Sequence, residues 1–352
     1  MTYLILFLFF GVALITLFED YLGKYKNSIF YAVGLALILI SGLREVGLDP
    51  DSINYENTFL DYDNPTGSER IEFSFLFLSM ILNHICNDVH IIFLLYAFLG
   101  VALKFIAFKQ NEKTIFLPIL VYISFYYIFH ECTQIRAGVL SSFFLLSIKP
   151  IACGEKKKAL ILILAGSLFH LSGLILIPLV FLNNKPSNLI QRWKWISLVI
   201  AGYVIYLGGL AMTLILSTNI PYIGQKLAIY QESINKGIVT TAAHPLGPIQ
   251  VFIVLLYIYI MFFYNTLKDI NKLFPLQMKI LSIGLFAYPA FSFFPVIGVR
   301  VSQLISIVSI ILFANIAFTI KPKWAGIVLV IFISFVMLNY SMPYVLQFKL
   351  LY

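Results

Sequence analysis

Long apolar runs separated by short polar segments recur along the whole chain. Each run is close to the length of about 17–25 residues that a helix needs to cross a bilayer. A membrane β-barrel would instead show segments of about ten residues that alternate between apolar and polar positions, and this pattern does not occur. The sequence therefore predicts an all-α polytopic membrane protein with about ten transmembrane helices: 2–18, 29–43, 89–108, 114–129, 133–149, 196–217, 249–265, 280–296, 300–320 and 325–342.

The lysines indicate which polar segments face the cytosol. Cytosolic loops of membrane proteins carry an excess of Lys and Arg. Lysine-rich segments therefore predict cytosolic loops, and the acidic segment 44–70 and the segment 218–248 become outer loops. The predicted cytosolic loops are 19–28, 104–113, 149–158, 183–195, 266–279 and 321–323. We treat residues 1–352 as a single transmembrane domain.

Two segments do not fit a simple crossing. Residues 71–85 are short and connect two stretches that both belong outside, which predicts a re-entrant or interfacial helix. Residues 159–182 have basic flanks at both ends, so one straight helix would place a basic flank outside. Two half-helices, 159–169 and 173–182, that meet near His170 keep both flanks inside. Such a hairpin must be buried in protein or line a cavity, and the alternative is a straight helix that violates the charge rule.

Composition excludes several classes of protein. Hydrophobic residues make up 61% of the chain and charged residues 11%, with a mean hydropathy of +0.93, which excludes disorder and an ordinary soluble enzyme. Cys86, Cys132 and Cys153 lie in unrelated segments and predict neither a metal site nor a disulfide framework. The net charge of +8 resides in short loops and does not indicate a nucleic-acid partner.

Three arginines lie at the predicted outer ends of apolar helices. Arg44, Arg136 and Arg300 are costly to place near a bilayer, and any one of them alone could be an interfacial anchor. Three on one face are harder to explain in that way. Arginine favours bidentate contact with phosphate oxygens, so the three predict an anionic, membrane-borne substrate at the outer leaflet.

Polar side chains beside these arginines are the candidate binding and catalytic groups. Asp49 and Tyr55 follow Arg44 and suit a sugar-binding rim, although spacing alone favours a helix C-cap followed by a solvated acidic loop. Glu131 and Gln134 precede Arg136, and Glu131 is either a functional acid or the partner of Arg136 in an ion pair that caps the helix.

His170 lies in an apolar context at the predicted turn of the hairpin. A neutral imidazole there could take a proton from a hydroxyl group, although a lone histidine is more often a satisfied core residue. Glu72, at the start of segment 71–85, is the other acid near this boundary. The chain carries no nucleotide-binding loop, nucleophile elbow or zinc motif, so any donor must already be activated and embedded in the membrane.

Three motifs resemble those of the EpsG/Wzy-type polysaccharide polymerases. They are SGLREVGLDPDSINY at 41–55, HECTQIRAG at 130–138 and SLFHLSGLILIP at 167–178, together with Arg300 before a late apolar helix. The resemblance implies a metal-independent, cofactor-free glycosyltransferase of the bacterial inner membrane that joins undecaprenyl-diphosphate-linked oligosaccharide repeat units, of O-antigen or capsule, at the outer face. It releases undecaprenyl diphosphate.

The resemblance also implies roles for individual residues. Arg44, Arg136 and Arg300 would bind the diphosphates, and His170 or Glu131 would accept the proton. The sugar site would be lined by Asp49 and Tyr55. Glu72, His130 and Gln134 are further candidates for the sugar site from their positions in the sequence. A chain-length regulator and a flippase of the same pathway are the expected partners.

Other functions share these features. A ligase or a single-sugar transferase would use the same lipid donor and differ only in its acceptor. A lipid-linked glycan transporter or flippase would more typically show paired halves with broken helices at matching positions, which this sequence lacks. An inactive scaffold of the same assembly is a further reading.

Overall fold

The computed structural model describes residues 1–63, 72–110, 113–209, 244–293 and 295–343. Within these ranges the chain forms helices and no strands, which confirms the all-α class. The chain divides into two compact units. Unit 1 comprises residues 1–184, 265–274 and 309–352, and unit 2 comprises residues 185–264 and 275–308. The prediction of one transmembrane domain stays a prediction.

Unit 1 contains most of the helices. They are α1 (Thr2–Leu17), α2 (Lys26–Gly42), α3 (Ser52–Leu60), α4 (Phe73–Asn83), α5 (His90–Phe108), α6 (Phe116–Ser124), α7 (Tyr126–His130), α8 (Ile135–Ala152) and α9 (Lys156–Ser167). A 3₁₀ helix, Leu171–Phe181, follows α9. Helices are numbered in chain order through both units. Three later helices also belong largely to unit 1: α12 (Tyr264–Ile270), α15 (Ser309–Ala314) and α16 (Lys323–Ser341).

Small residues let the helices of unit 1 approach closely. A Cβ atom at Gly42 of α2 would lie only 2.9 Å from the Cα atom of Leu94 in α5. Farther along the same pair, a Cβ atom at Gly34 would lie 2.9 Å from Cε1 of the Phe105 ring. Lipid offers no hydrophobic drive for helix association, so close backbone approach through small residues is how such helices gain packing energy. Helices α2 and α5 therefore form a tight antiparallel pair.

The segment around His170 is a hairpin, as the charge pattern predicts. Helix α9 ends at Ser167, His170 adopts an extended backbone, and the 3₁₀ helix then runs back along α9. A Cβ atom at Gly173 would lie 2.4 Å from Oγ of Ser167, and Nζ of Lys156 lies 5.2 Å from the Phe181 ring centroid. The first contact fixes the closed end of the hairpin and the second fixes its open end.

Unit 2 contains α10 (Leu189–Leu207), α11 (Pro248–Phe262), α13 (Phe274–Ala290) and α14 (Pro295–Ile305). Its helices also pack through small residues and hydroxyl groups. A Cβ atom at Gly202 would lie 2.7 Å from the carbonyl oxygen of Phe286, and the hydroxyl groups of Tyr257 and Ser282 are 2.9 Å apart. Unit 2 is thus built on the same close-packing principle as unit 1.

The described helices give fewer full spans than the ten that hydropathy predicts. Five helices are long and apolar enough to cross a membrane, or six if α11 and α12 form one broken span. Helix α1 has 16 residues, and the predicted span 114–129 is divided into α6 and α7 near Phe125. Hydropathy counts apolar residues, but it does not detect where the backbone breaks. The protein is a multi-pass membrane protein.

Two further predictions on segment boundaries have clear outcomes. The short helix predicted at 71–85 exists as α4, which has 11 residues. The cytosolic loop predicted at 104–113 begins too early, because α5 continues to Phe108 and buries Lys104 completely. The part of the outer loop 44–70 up to residue 63 contains α3, and residues 218–243 of the other outer loop lie outside the described residues.

Candidate active site

Three interruptions of helical structure bring three polar side chains together in unit 1. Glu72 is the N-cap residue of α4, and Arg136 lies in the first turn of α8. His170 occupies the turn of the hairpin. Helix ends leave backbone polar groups without partners and admit water, so they are the places where charged side chains can be held near apolar helices. We call Glu72, Arg136 and His170 the polar cluster.

Glu72 is the centre of the polar cluster. Its Oε2 atom accepts a hydrogen bond from Nη1 of Arg136, and its Oε1 atom bonds Nδ1 of His170. The Glu72 side chain is 6% exposed, whereas Arg136 and His170 are 17% and 22% exposed. The carboxylate is therefore the buried support, and the guanidinium and imidazole groups are the members that a ligand can reach.

The charge state of Glu72 follows from its two partners. Burial alone would raise the pKa of Glu72, but the hydrogen bond to His170 and the positive charge of Arg136 outweigh it and lower the pKa. Glu72 is therefore ionised at neutral pH. An ionised carboxylate accepts the Nδ1–H proton of a neutral imidazole, which leaves the lone pair on Nε2 for another group. Among the described residues, Nε2 of His170 has no hydrogen-bond partner.

Aromatic rings support the polar cluster. The guanidinium of Arg136 lies 5.4 Å from the ring centroid of Tyr55, which packs on Phe75 at 5.5 Å. Phe169, next to His170 in the hairpin turn, packs edge-on against Tyr96, with the ring centroids 5.7 Å apart. A cation over an aromatic face gains electrostatic attraction. These rings therefore help to hold Arg136 and His170 in place.

Arg44 lies at the same end of the helices as Arg136 but is already neutralised. Its Nε donates to Oδ2 of Asp49 at 3.0 Å and its Nη1 donates to the carbonyl oxygen of Ser41 at 2.7 Å. The Asp49 carboxylate also accepts from the backbone N–H groups of Asp51 and Ser52, both at 3.0 Å. Both charged side chains are almost fully buried. This geometry favours a role in holding the loop before α3 over direct contact with a phosphate or a sugar.

Glu131 belongs to a different cluster from Arg136. Lys104 Nζ lies 2.6 Å from Oε1 of Glu131, and both side chains are buried. The Glu131–Arg136 ion pair that the sequence suggests is therefore wrong, because Glu131 pairs with Lys104 and Arg136 pairs with Glu72. A carboxylate that is buried and salt-bridged in this way is poorly placed to accept a substrate proton, and the catalytic role of Glu131 stays a prediction.

The other predicted site residues occupy separate positions. His130 is buried, with Nδ1 lying 3.1 Å from the hydroxyl of Ser141. Gln134 is the half-buried N-cap residue of α8, two positions before Arg136. Gln134 is thus close enough in sequence to border a ligand at Arg136, whereas His130 contributes to the core. Their sugar-binding roles stay predictions.

Arg300 lies in unit 2, on α14, with an exposed side chain. A pocket shared with Arg44 and Arg136 stays a prediction. Within the part of the chain that the structure describes, no three His, Cys, Asp or Glu side chains form a cluster suited to a metal ion. The polar cluster itself offers an imidazole, a guanidinium and one carboxylate, a set suited to an anionic ligand and a proton transfer.

A family model for the EpsG family matches residues 27–349, nearly the whole chain. The chain belongs to the EpsG family. It is also similar to the amylovoran biosynthesis protein AmsC of Erwinia amylovora, with 24% identity over 195 residues that cover 52% of each chain. The match therefore spans about half the length of that relative. No solved structure matches.

Two features of this EpsG-family protein escape sequence reasoning. The sequence places Lys104 in a loop, but it is the buried partner of Glu131. The sequence gives Glu72 a place at a sugar site, but its carboxylate joins Arg136 and His170, which lie 64 and 98 positions away. The sequence offered two signals: Lys104 lies just inside the end of an apolar run, and Glu72 lies between two apolar runs. Neither one identifies its partner.

Proposed function

We propose that this EpsG-family protein is a polysaccharide polymerase. It would transfer a growing glycan from undecaprenyl diphosphate onto another lipid-linked repeat unit at the outer face of the inner membrane. The observation that supports this most strongly is the polar cluster: a reachable imidazole and a reachable guanidinium share one buried carboxylate at a helix-hairpin turn. The printed name of AmsC, an amylovoran biosynthesis protein, supports a role in polysaccharide biosynthesis.

His170 is the proton acceptor in this proposal. Glu72 holds Nδ1–H of His170, so the lone pair of Nε2 points away from the carboxylate and toward the site. General base catalysis of this type contributes about 10²–10⁴-fold to a rate. Glu72 does not touch the substrate and acts as a positioning residue for His170.

Arg136 binds the donor diphosphate in this proposal. Glu72 bonds one edge of its guanidinium and the Tyr55 ring packs against it, so the direction of the guanidinium is set before a ligand arrives. Fixed donors that face a developing negative charge stabilise it without reorganisation, and removal of one such donor typically costs about 10²–10³-fold. Arg300 remains the predicted second diphosphate ligand.

The reaction balances with these groups alone. The acceptor hydroxyl oxygen attacks the anomeric carbon of the donor glycan and forms the new glycosidic bond. The bond between that carbon and the diphosphate oxygen breaks, and its electron pair leaves with undecaprenyl diphosphate. The hydroxyl proton passes to Nε2 of His170. Two lipid-tethered substrates held in one site supply the orientation that lowers the barrier.

The experiment is polymerisation by purified protein in liposomes that contain undecaprenyl-diphosphate-linked repeat units. We expect a ladder of repeat units from the natural protein. His170→Gln should slow ladder formation by about 10²–10⁴-fold, and Arg136→Lys by about 10²–10³-fold. Arg192→Lys is the matched control, because Arg192 also packs on a tyrosine ring, Tyr264, at 4.1 Å but belongs to unit 2.

Other outcomes of the same assay contradict the proposal. Addition of a single unit would indicate a single-sugar transferase, and transfer to a separate core acceptor would indicate a ligase. Turnover that requires substrate on the inner leaflet and produces no new bond would indicate a flippase. Unchanged ladders from both His170→Gln and Arg136→Lys would remove the polar cluster from the active site.

A further inference from the structure

A second group of charged side chains in unit 1 is not used by the proposed reaction. Lys104 Nζ donates to Oε1 of Glu131 at 2.6 Å, to the carbonyl oxygen of Gly138 at 2.9 Å and to Oγ of Ser142 at 2.8 Å. All of these side chains are buried. Ionisable residues within membrane helices are costly and mark functional positions more often than exposed ones do. This arrangement therefore requires a reason beyond folding.

The helices around Glu131 are shaped to fit its carboxylate. A Cβ atom at Gly100 of α5 would lie 2.7 Å from Oε1 of Glu131, and one at Gly138 of α8 would lie 3.2 Å from it. The hydroxyl of Ser142 also donates to the carbonyl oxygen of Gly100 at 2.8 Å. Two glycines thus form a slot for one carboxylate, and a hydroxyl group joins the two helices beside it.

The position of this slot relates it to Arg136. Glu131 is the first residue of the turn 131–134, which connects α7 to α8, and Arg136 is the second residue of α8. Lys104 contacts Glu131 before the start of α8 and the carbonyl oxygen of Gly138 after it. One ammonium group therefore holds both sides of the helix start on which Arg136 lies.

We infer that Lys104 and Glu131 form a positioning pair that sets the direction of the Arg136 guanidinium through the backbone of the first turn of α8. The pair does not contact the substrate. This inference rests on the proposed function only in assigning the diphosphate to Arg136. The structural part, that the pair closes the 131–134 turn, stands independently of any reaction.

Cys132 provides a direct probe of the turn. Its thiol is completely buried immediately after Glu131, whereas Cys86 and Cys153 are exposed. In a Cys86→Ser/Cys153→Ser background, labelling by the membrane-permeant reagent N-ethylmaleimide reports on Cys132 alone. A turn that is held closed labels slowly, and a turn that opens labels severalfold faster because local opening exposes the thiol.

The key variant is Lys104→Met/Glu131→Gln, which removes both charges together and avoids an unpaired buried charge. We expect it to reach the membrane at normal level, to label faster at Cys132 and to polymerise about 10²-fold more slowly at saturating donor, since small misplacements of a positioned group cost about that much. Ser142→Ala, which keeps the charges, should shift both readouts in the same direction and by less.

The matched control is Glu19→Gln/Lys26→Met, which removes an ion pair of 2.7 Å at the opposite end of α2 from Arg44. It should change neither readout. Unchanged Cys132 labelling in both Lys104→Met/Glu131→Gln and Ser142→Ala would overturn the inference. Faster labelling with an unchanged polymerisation rate would overturn the link to Arg136. If both His170→Gln and Arg136→Lys polymerise normally while the labelling result holds, the proposed function fails and the closed turn survives.

Discussion

At the scale of single residues, the difference between Arg44 and Arg136 decides which arginine can meet a ligand. Both lie at one end of unit 1, and the Phe93 and Tyr55 rings that they cover are 6.4 Å apart. The Arg44 side chain is fully buried and paired with Asp49, whereas the Arg136 side chain is partly exposed. Sequence spacing could identify both arginines but not this difference, because it depends on burial.

Arg44 should therefore matter first for stability. Arg44→Met leaves the Asp49 carboxylate buried without its partner, which should destabilise the protein by about 3–5 kcal/mol. Arg300→Met, at an exposed position, should change the melting temperature little. Thermal unfolding in detergent measures both.

The double variant Arg44→Met/Asp49→Asn separates the two possible roles of Arg44. It removes both buried charges and keeps an oxygen that accepts from the backbone N–H groups of Asp51 and Ser52, so stability should largely recover. If polymerisation recovers together with stability, Arg44 acts through the loop. If stability recovers and polymerisation does not, Arg44 has the phosphate-binding role that the resemblance implies.

Glu72 gives stability a dependence on pH. Its pKa in the folded protein lies below the ordinary value of 4.5, so its contribution is fully present above that value and is lost as pH falls through the folded pKa. The melting temperature of the natural protein should exceed that of Glu72→Gln at about pH 6–7, and the difference should shrink as the pH falls below 4.5. A difference that widens on acidification would contradict this assignment of Glu72.

At the scale of secondary-structure elements, the hairpin is the feature that charge patterning predicts best. Basic residues on both sides of 159–182 required an even number of crossings, and the structure has α9 and a returning 3₁₀ helix with His170 between them. The predicted span 89–108 matches α5, but the placement of Lys104 in the cytosolic loop 104–113 was wrong for the opposite reason. The charge rule treats every lysine as exposed, but Lys104 has a buried partner that only the packed structure reveals.

Gly173 should be essential to the hairpin. In Gly173→Ala the new Cβ would lie 2.4 Å from Oγ of Ser167 and 2.7 Å from Cδ1 of Leu140, so the hairpin turn must shift. We expect His170 to move from Glu72 and the polymerisation rate to fall by about 10²-fold. Gly11→Ala, with no atom within 4 Å of the new Cβ, is the control and should behave as the natural protein does.

Ser167→Ala/Gly173→Ala tests whether the steric contact is the cause. Removal of the Ser167 hydroxyl eliminates the closest clash, so part of the lost rate should return. If Gly173→Ala polymerises at the natural rate, the hairpin turn tolerates displacement and His170 is not positioned by it.

At the scale of the whole molecule, short and broken helices explain why only five or six of the described helices are long and apolar enough to span a membrane, although the sequence contains about ten long apolar runs. Several described helices are shorter than a full span, among them α4 with 11 residues and α6 with 9. Such segments persist in a membrane protein because neighbouring helices satisfy their backbone ends. The composition and periodicity of the chain predict the fold class, but the polar cluster arises from contacts between distant positions that no local pattern encodes.

The orientation of the molecule can be tested with its own cysteines. Cys86, in the exposed turn after α4, is on the predicted outer side, and Cys153, at the end of α8, is on the predicted cytosolic side. A membrane-impermeant maleimide added to intact cells should label Cys86 and spare Cys153 until the membrane is permeabilised. Single-cysteine variants are the controls, and the reverse pattern would invert the topology.

The shared carboxylate of Glu72 has a consequence for timing. A diphosphate that docks on Arg136 competes with the Glu72 carboxylate for the guanidinium. The same carboxylate holds Nδ1 of His170, so any displacement of the Glu72 side chain also displaces the imidazole ring. In the proposed polymerase, arrival of the donor and orientation of the base would therefore be linked through one carboxylate.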